Sequence, residues 1–144
     1  MEPVKFYKTS DEFGEFSNFA AYSFSLNGKV WPTSEHYFQA MKFKDKKDQE
    51  EIRKAKSPML AARMGRSRKR TLRKDWHSAR ENVMYEALKA KFTQNPELVD
   101  LLLSTGERKL IEHTVNDSYW GDGLGKGKNR LGHLLMKLRE EFRV

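Results

Sequence analysis

The longest periodic stretch in the chain sets the terms for its fold. From Asp75 onward, Trp76, Ala79, Val83, Met84, Ala87, Leu88 and Phe92 recur at spacings of three and four. That is the pattern of an amphipathic helix whose apolar stripe must be buried against a core. Around it the sequence reads as more helices and a few short strands. Pro32-Thr33-Ser34-Glu35 predicts a helix start, with Thr33 or Ser34 as N-cap and Glu35 in the first turn, running to about Lys44. Shorter helices are expected around Asp48–Lys54 and Pro58–Met64, then one after Pro96 that ends near Gly106. A closing helix is expected from about Asn129 to Phe142. Val4–Tyr7 and Tyr22–Leu26 have strand character, and Asn27-Gly28 is a hairpin turn leading into Lys29–Trp31. Leu110–Val115 fits a further strand. Helices and strands do not alternate, so the expected class is α+β: a single small, mainly helical domain over residues 1–144.

Such a chain is long enough to bury a genuine core. Its complete lack of cysteine excludes disulfides, thiolate metal sites and a cysteine nucleophile. No apolar run approaches the ~20 residues that span a bilayer, and the first residues lack a signal peptide's apolar core. The expectation is a soluble, cytoplasmic protein with no membrane association. Net charge is +8, yet residues 63–74 alone hold seven basic residues and no acid, so the remainder of the chain carries only +1. That local run (Arg63, Arg66, Arg68, Lys69, Arg70, Arg73, Lys74) suits an anionic partner such as phosphate or a nucleic-acid backbone. A solvated basic loop is the alternative.

The first helix carries the most chemistry. At 100° per residue, Glu35, Gln39 and Lys42 share one narrow face, with Phe38 beside them. The rest of its circumference is largely apolar, so the helix should be buried and its polar face must meet partners or a wet cavity. Further along, Gly121 to Gly127 form a glycine-rich loop followed by Lys128, Asn129 and a helix, a possible anion cradle of backbone N–H groups. It is neither a P-loop nor a dinucleotide fingerprint: Asn129 replaces the Ser/Thr of the first, and Lys128 the last glycine of the second. A plain flexible connection fits it as well. Asp117 and Trp120 sit just before this loop, either to orient and stack on a ligand or simply to cap a turn and fill the core. Trp76 has the same two readings. The four histidines show no metal-ligand spacing and no nucleophile-elbow motif is present, which leaves Glu35, Lys42 and Asp117 as acid–base or covalent candidates.

Several segments, in order, resemble the NADAR family. They are Ser17-Asn18-Phe19; Trp31 to Phe43 (WPTSEHYFQAMKF); Gly65-Arg66; Leu72 to Trp76 (LRKDW); Lys91-Phe92 with Gln94-Asn95; Asp117 to Gly121 (DSYWG); and Gly127 to Gly132 (GKNRLG). Met41 stands at a position the pattern leaves variable. No deaminase or reductase domain, such as bifunctional relatives carry, is expected beside it. The resemblance implies a small α+β domain that hydrolyses C–N glycosidic bonds. Some relatives act on phosphoribosylamino-pyrimidine intermediates of riboflavin biosynthesis, and others remove ADP-ribose from guanine bases in nucleic acid. The first substrate class is the expectation here and the second the alternative. A non-catalytic ADP-ribose or nucleic-acid binding module is the alternative of a different kind.

On that footing Glu35, with Asp117 second, would stabilise positive charge at ribose C1 or activate water. Lys42 would hold an oxyanion or phosphate, or exchange into a Schiff base if its amine is neutral. Gln39 would orient substrate or water. Arg66, Arg73, Lys128 and the 123–127 backbone would recognise phosphate, and Trp76 and Trp120 would face the heterocycle or sugar. Asn18, Gly121 and Asn129, inside the matching segments, complete the substrate-binding set. The implied partner is a small phosphorylated ribosyl compound, or ADP-ribosylated nucleic acid. No cofactor, metal or obligate protein partner is expected.

Overall fold

A computed structural model describes residues 1–143. Its strands are β1 (Val4–Phe6), β2 (Phe24–Leu26), β3 (Lys29–Trp31) and β4 (Leu110–Glu112). Its helices are α1 (Ser34–Ala40), α2 (Lys46–Arg53), α3 (Pro58–Arg66), α4 (Trp76–Gln94), α5 (Pro96–Ser104) and α6 (Arg130–Phe142). The class is α+β, as expected. The chain packs as two compact units, one of Met1–Ala20 with the chain from Asn95 onward, the other of Ala21–Gln94.

In the Ala21–Gln94 unit, Asn27 and Gly28 take φ of 55° and 77°, the left-handed pair that a tight hairpin turn demands. The turn sets an antiparallel register of Phe24 opposite Trp31, which turns both rings inward. Tyr37 of α1 packs edge-on to the Trp31 ring, with centroids 5.0 Å apart. Gln94, at the end of α4, accepts from Ser25 N (2.7 Å) and donates to Ser25 O (2.8 Å), so its amide clasps β2 from outside. The expected stripe of α4 is buried at Trp76, Val83, Met84, Ala87, Leu88 and Phe92, and only half-buried at Ala79.

Thr33 is the N-cap of α1, its hydroxyl oxygen accepting from His36 N (3.1 Å). His36 is held at both ring nitrogens. Nε2 lies 3.0 Å from Ala55 O, which can only accept, so Nε2 carries the proton and Nδ1 accepts from the Thr33 hydroxyl at 2.7 Å. Burial keeps this imidazole below its ordinary pKa, although the bond to Ala55 pulls the other way.

Sequence periodicity carried the first helix to about Lys44, but α1 stops at Ala40. Lys42 N and Phe43 N bond back only three residues, to Gln39 O and Ala40 O, in a tightened last turn. The carbonyls that would have continued the helix are taken from far along the chain. Met41 O accepts from Arg73 Nη1 (3.3 Å), and Lys42 O from Arg73 N (2.8 Å). Asp45 then caps α2 by accepting from Lys47 N. Ser57 caps α3, with Pro58 at its first position.

In the other unit, β1 pairs with β4 in parallel, Val4 opposite Leu110. Helix α6 presses Leu131, Leu134, Leu135 and Leu138 inward. Gly132 makes that approach possible, because a Cβ there would lie 2.0 Å from Leu110 O. The strand expected to Val115 ends at Glu112, since the Thr114 N–H turns to the Asp122 carboxylate (3.0 Å). Among the described residues no helix is long and apolar enough to cross a membrane.

Candidate active site

Helix α1 is buried on nearly every side, and within it only Glu35 keeps a half-exposed side chain. One turn later Gln39, 5% exposed, donates from Nε2 to Glu35 Oε2 at 2.8 Å. That bond orients the carboxyl group. The other end of the amide, Oε1, is buried and has no hydrogen-bond partner. It lies against Gly65 of α3, where a Cβ would come within 1.9 Å of it.

Lys42 lies just beyond α1 instead of on its face, yet the tightened turn still brings it to the same place. Its Nζ donates to Gly65 O at a long 3.4 Å and stands 5.9 Å over the Phe38 ring. Phe38 in turn packs on Trp76, with centroids 5.0 Å apart. Burial lowers the pKa of this ammonium below its usual value. The Glu35 carboxylate opposes that shift and the Arg66 guanidinium reinforces it, with a net downward result. A carboxylate held by an amide and an amine biased towards neutrality therefore share one small neighbourhood, walled by Phe38 and Gly65.

The basic run behaves unevenly. Arg73, expected to bind phosphate, is engaged within the protein: Nε and Nη2 donate to the two Asp75 oxygens at 2.6 and 2.9 Å, and Nη1 to Met41 O. Its position is that of a clamp on the turn carrying Lys42. Arg70 pairs with Asp48 and Glu51. Arg63, Arg66, Arg68, Lys69 and Lys74 are exposed. Trp76, 8% exposed, is a core residue of α4 lying beside the candidate pair.

The remaining candidates, Asn18, Asp117, Trp120, Gly121, Lys128 and Asn129, belong to the other unit. Asn18 is buried there. Asp117 Oδ1 accepts from Tyr119 N (2.9 Å) and Trp120 N (2.8 Å), the turn-capping reading of that residue. The Trp120 ring meets Tyr119 edge-on at 4.9 Å, and the Lys128 ammonium lies 5.6 Å over the Tyr119 ring. Gly121 admits no side chain, because a Cβ would stand 2.7 Å from Thr114 Cγ2 and 2.8 Å from Asp117 O. Asn129 spends its amide on β4, accepting from Glu112 N (3.0 Å) and donating to Leu110 O (2.9 Å).

The glycine-rich loop also differs from the open anion cradle that its composition suggests. The N–H groups of Gly125 and Gly127 go to Asp122 O, and that of Leu124 goes to Asp122 Oδ1. Those of Lys128, Asn129, Arg130 and Leu131 go to the carbonyls of Ser118, Gly121, Tyr119 and Trp120. Most of the amides from Leu124 to Leu131 are thus spent within the loop and its flanks. Asp122 is its hub, a residue the sequence did not single out. Its Oδ2 also lies 2.7 Å from His113 Nδ1. Burial alone would raise the Asp122 pKa, but the hydrogen bonds from His113, Thr114 N and Leu124 N hold it below the ordinary carboxylate value. Among the described residues no three acidic or histidine side chains gather as a metal site would need.

Comparison with known proteins finds relatives along nearly the whole chain. The NADAR domain matches residues 5–143. The chain is 62% identical over 142 residues to the N-glycosidase YbiA of Escherichia coli, covering 98% of this chain and 89% of that one. It is 40% identical over 144 residues to an N-glycosidase of Nostoc punctiforme, covering 97% and 92%. A riboflavin biosynthesis protein of Vibrio vulnificus is 41% identical over 142 residues, which is 98% of this chain but 39% of that longer protein. The NMR structure of E. coli YbiA superposes with a TM-score of 0.90 at 61% identity, covering 99% of this chain and 87% of that one. By sequence along nearly its whole length and by fold, the chain belongs to the NADAR domain family.

Proposed function

We propose that this chain is an N-glycosidase, a hydrolase that cleaves the C–N bond between a phosphorylated ribose and an amino-pyrimidine. The observation that carries the reading is the pairing of Glu35, oriented by Gln39, with a Lys42 whose amine is biased towards its neutral form. The names of the relatives support the reaction class, and the riboflavin biosynthesis relatives support the substrate class. The activity is assigned to residues 1–144 as one functional domain, in line with the family match over 5–143.

Cleavage of such a bond builds positive charge at ribose C1, which an acceptor-only carboxylate stabilises more strongly in the transition state than in the ground state. Lys42 supplies a second route. Ring opening of the ribosylamine gives an imine at C1, and the neutral amine adds there. The amino-pyrimidine then leaves with one proton, and a Lys42 iminium remains. Water adds to that iminium, releasing the ribose phosphate as its aldehyde and restoring the amine. The sum is one water consumed, with one ribose phosphate and one amino-pyrimidine formed. Asp117 and Trp120 enter this proposal through the family resemblance alone. The reading needs no cofactor or metal.

The direct test is product analysis after the purified protein is incubated with a phosphoribosylamino-pyrimidine. Release of free amino-pyrimidine is expected, along with its loss in folded Glu35→Gln. Borohydride added during turnover should fix a ribose phosphate adduct on Lys42, and none on Lys42→Arg. Unchanged turnover in Glu35→Gln would remove the carboxylate from the chemistry. A second reading, with ADP-ribosyl guanine in nucleic acid as substrate, is favoured by the exposed basic side chains of Arg63, Arg66, Arg68, Lys69 and Lys74. Release of ADP-ribose from such a strand, with no action on the free pyrimidine glycoside, would select it.

A further inference from the structure

Gly65 touches Lys42 and Gln39, the residue that holds Glu35, by different atoms. It is buried in the last turn of α3. Its Cα faces Gln39 so closely that a Cβ would lie 1.9 Å from Oε1, 2.7 Å from Cδ and 2.9 Å from Cβ of that residue. Swinging the flexible amide aside would relieve the first two clashes. The third involves an atom fixed to the α1 backbone, so the two helices themselves would have to part. Gln39 Oε1, lacking a hydrogen-bond partner, is located by this steric contact and by the bond that its own Nε2 makes to Glu35. The Gly65 carbonyl meanwhile accepts from Lys42 Nζ. A neutral amine has two N–H bonds and one lone pair, and an acceptor that takes one N–H turns the lone pair away from itself.

We propose that Gly65 is a positioning residue for the reaction, setting Glu35 through Gln39 by the close approach of its Cα and aiming the Lys42 amine through its carbonyl. The inference rests on the reading given under Proposed function. It accounts for a glycine inside a helix, where it is otherwise unfavourable relative to alanine. It also accounts for a buried amide oxygen left without a donor, an arrangement that costs stability unless something is gained by it.

The experiment compares wild type, Gly65→Ala, Gln39→Ala, the double variant and Glu35→Gln, each checked for folding by circular dichroism and thermal melting. With the phosphoribosylamino-pyrimidine as substrate, Gly65→Ala is expected to lose at least about tenfold in kcat, with KM changed by less than about twofold. The rising limb of its pH–rate profile, on which Lys42 loses its proton between Glu35 and Arg66, should move as the amine is displaced, which a merely structural glycine would not cause. The decisive comparison is between Gln39→Ala and the double variant, in which truncation of Gln39 makes room for the new methyl group. If Gly65 acts through Gln39, the two should agree within about threefold. That comparison stands even if Gly65→Ala alone fails to fold. A Gly65→Ala enzyme with wild-type kcat and pH profile would overturn the inference, as would a double variant well below Gln39→Ala. If Glu35→Gln retains turnover, the functional reading itself has failed. If Glu35→Gln is inactive while Gly65→Ala is unaffected, only the role of Gly65 is lost.

Discussion

Replacing Arg73 with methionine separates two roles that its sequence context leaves equivalent. As a phosphate ligand, Arg73 would lower KM for phosphorylated substrates and do little for the fold. The structure has it clamping the end of α1 instead, with Nη1 on Met41 O at 3.3 Å and the rest of its fork on Asp75. Methionine keeps most of the side-chain volume and removes both interactions. The Asp75 pair contributes little, since that carboxylate is solvent-exposed. The partly buried Met41 carbonyl loses a charged donor at long distance, which is worth about 1–2 kcal/mol. In a chain of this size that lowers the melting temperature by about 3–6 °C. The backbone bond from Arg73 N to Lys42 O survives, so the turn should loosen without unravelling. Catalysis should suffer through misplacement of Lys42, with kcat falling several-fold and KM barely moving. The assay is a thermal melt beside steady-state kinetics on the phosphorylated glycoside and its dephosphorylated counterpart. An unchanged melting temperature, with KM raised for the phosphorylated compound only, would refute the clamp and restore the phosphate role.

Two further perturbations probe how each unit is held. Burial keeps His36 below its ordinary pKa of 6.5, so the unfolded chain takes up this proton first as the pH falls. Stability should therefore decline progressively below about pH 6.5. Urea midpoints measured between about pH 8 and pH 5 should show this, and a His36 ring that titrates at or above the ordinary value by NMR would contradict it. Asn129→Ala removes both bonds from its amide to β4 and leaves a non-glycine residue without a polar side chain at φ 50°. A loss of about 2–4 kcal/mol in denaturant titration is expected, whereas unchanged stability with a raised KM would return Asn129 to the substrate-binding set.

What the sequence made legible was local chemistry. The Asn27-Gly28 turn, the Thr33 cap, the Pro58 and Pro96 helix starts and the α4 stripe each depend on neighbours within a few residues, and each appears where its signal lies. Glu35 and Gln39 were legible for the same reason, being one helical turn apart. The end of α1 was not, because its terminal carbonyls are satisfied by Arg73, whose approach depends on tertiary packing. Gly65 was visible as part of a family segment, but its contact with Gln39 exists only once α3 lies on α1. The glycine loop misled for a different reason. Composition shows how many backbone amides are free to bend towards a ligand, and not how many the loop consumes in folding around Asp122. No spacing rule marked that aspartate as a hub.

The amide of Gln94 at the outer rim of β2 has a consequence for association between molecules. A two-stranded ribbon ordinarily displays unpaired main-chain groups along its margin, an invitation to strand addition and eventual aggregation. Here one side chain supplies both the donor and the acceptor that an incoming strand would bring to Ser25. The outer margin of β2 is thus blocked at its central rung, with no proline inside the strand to protect it.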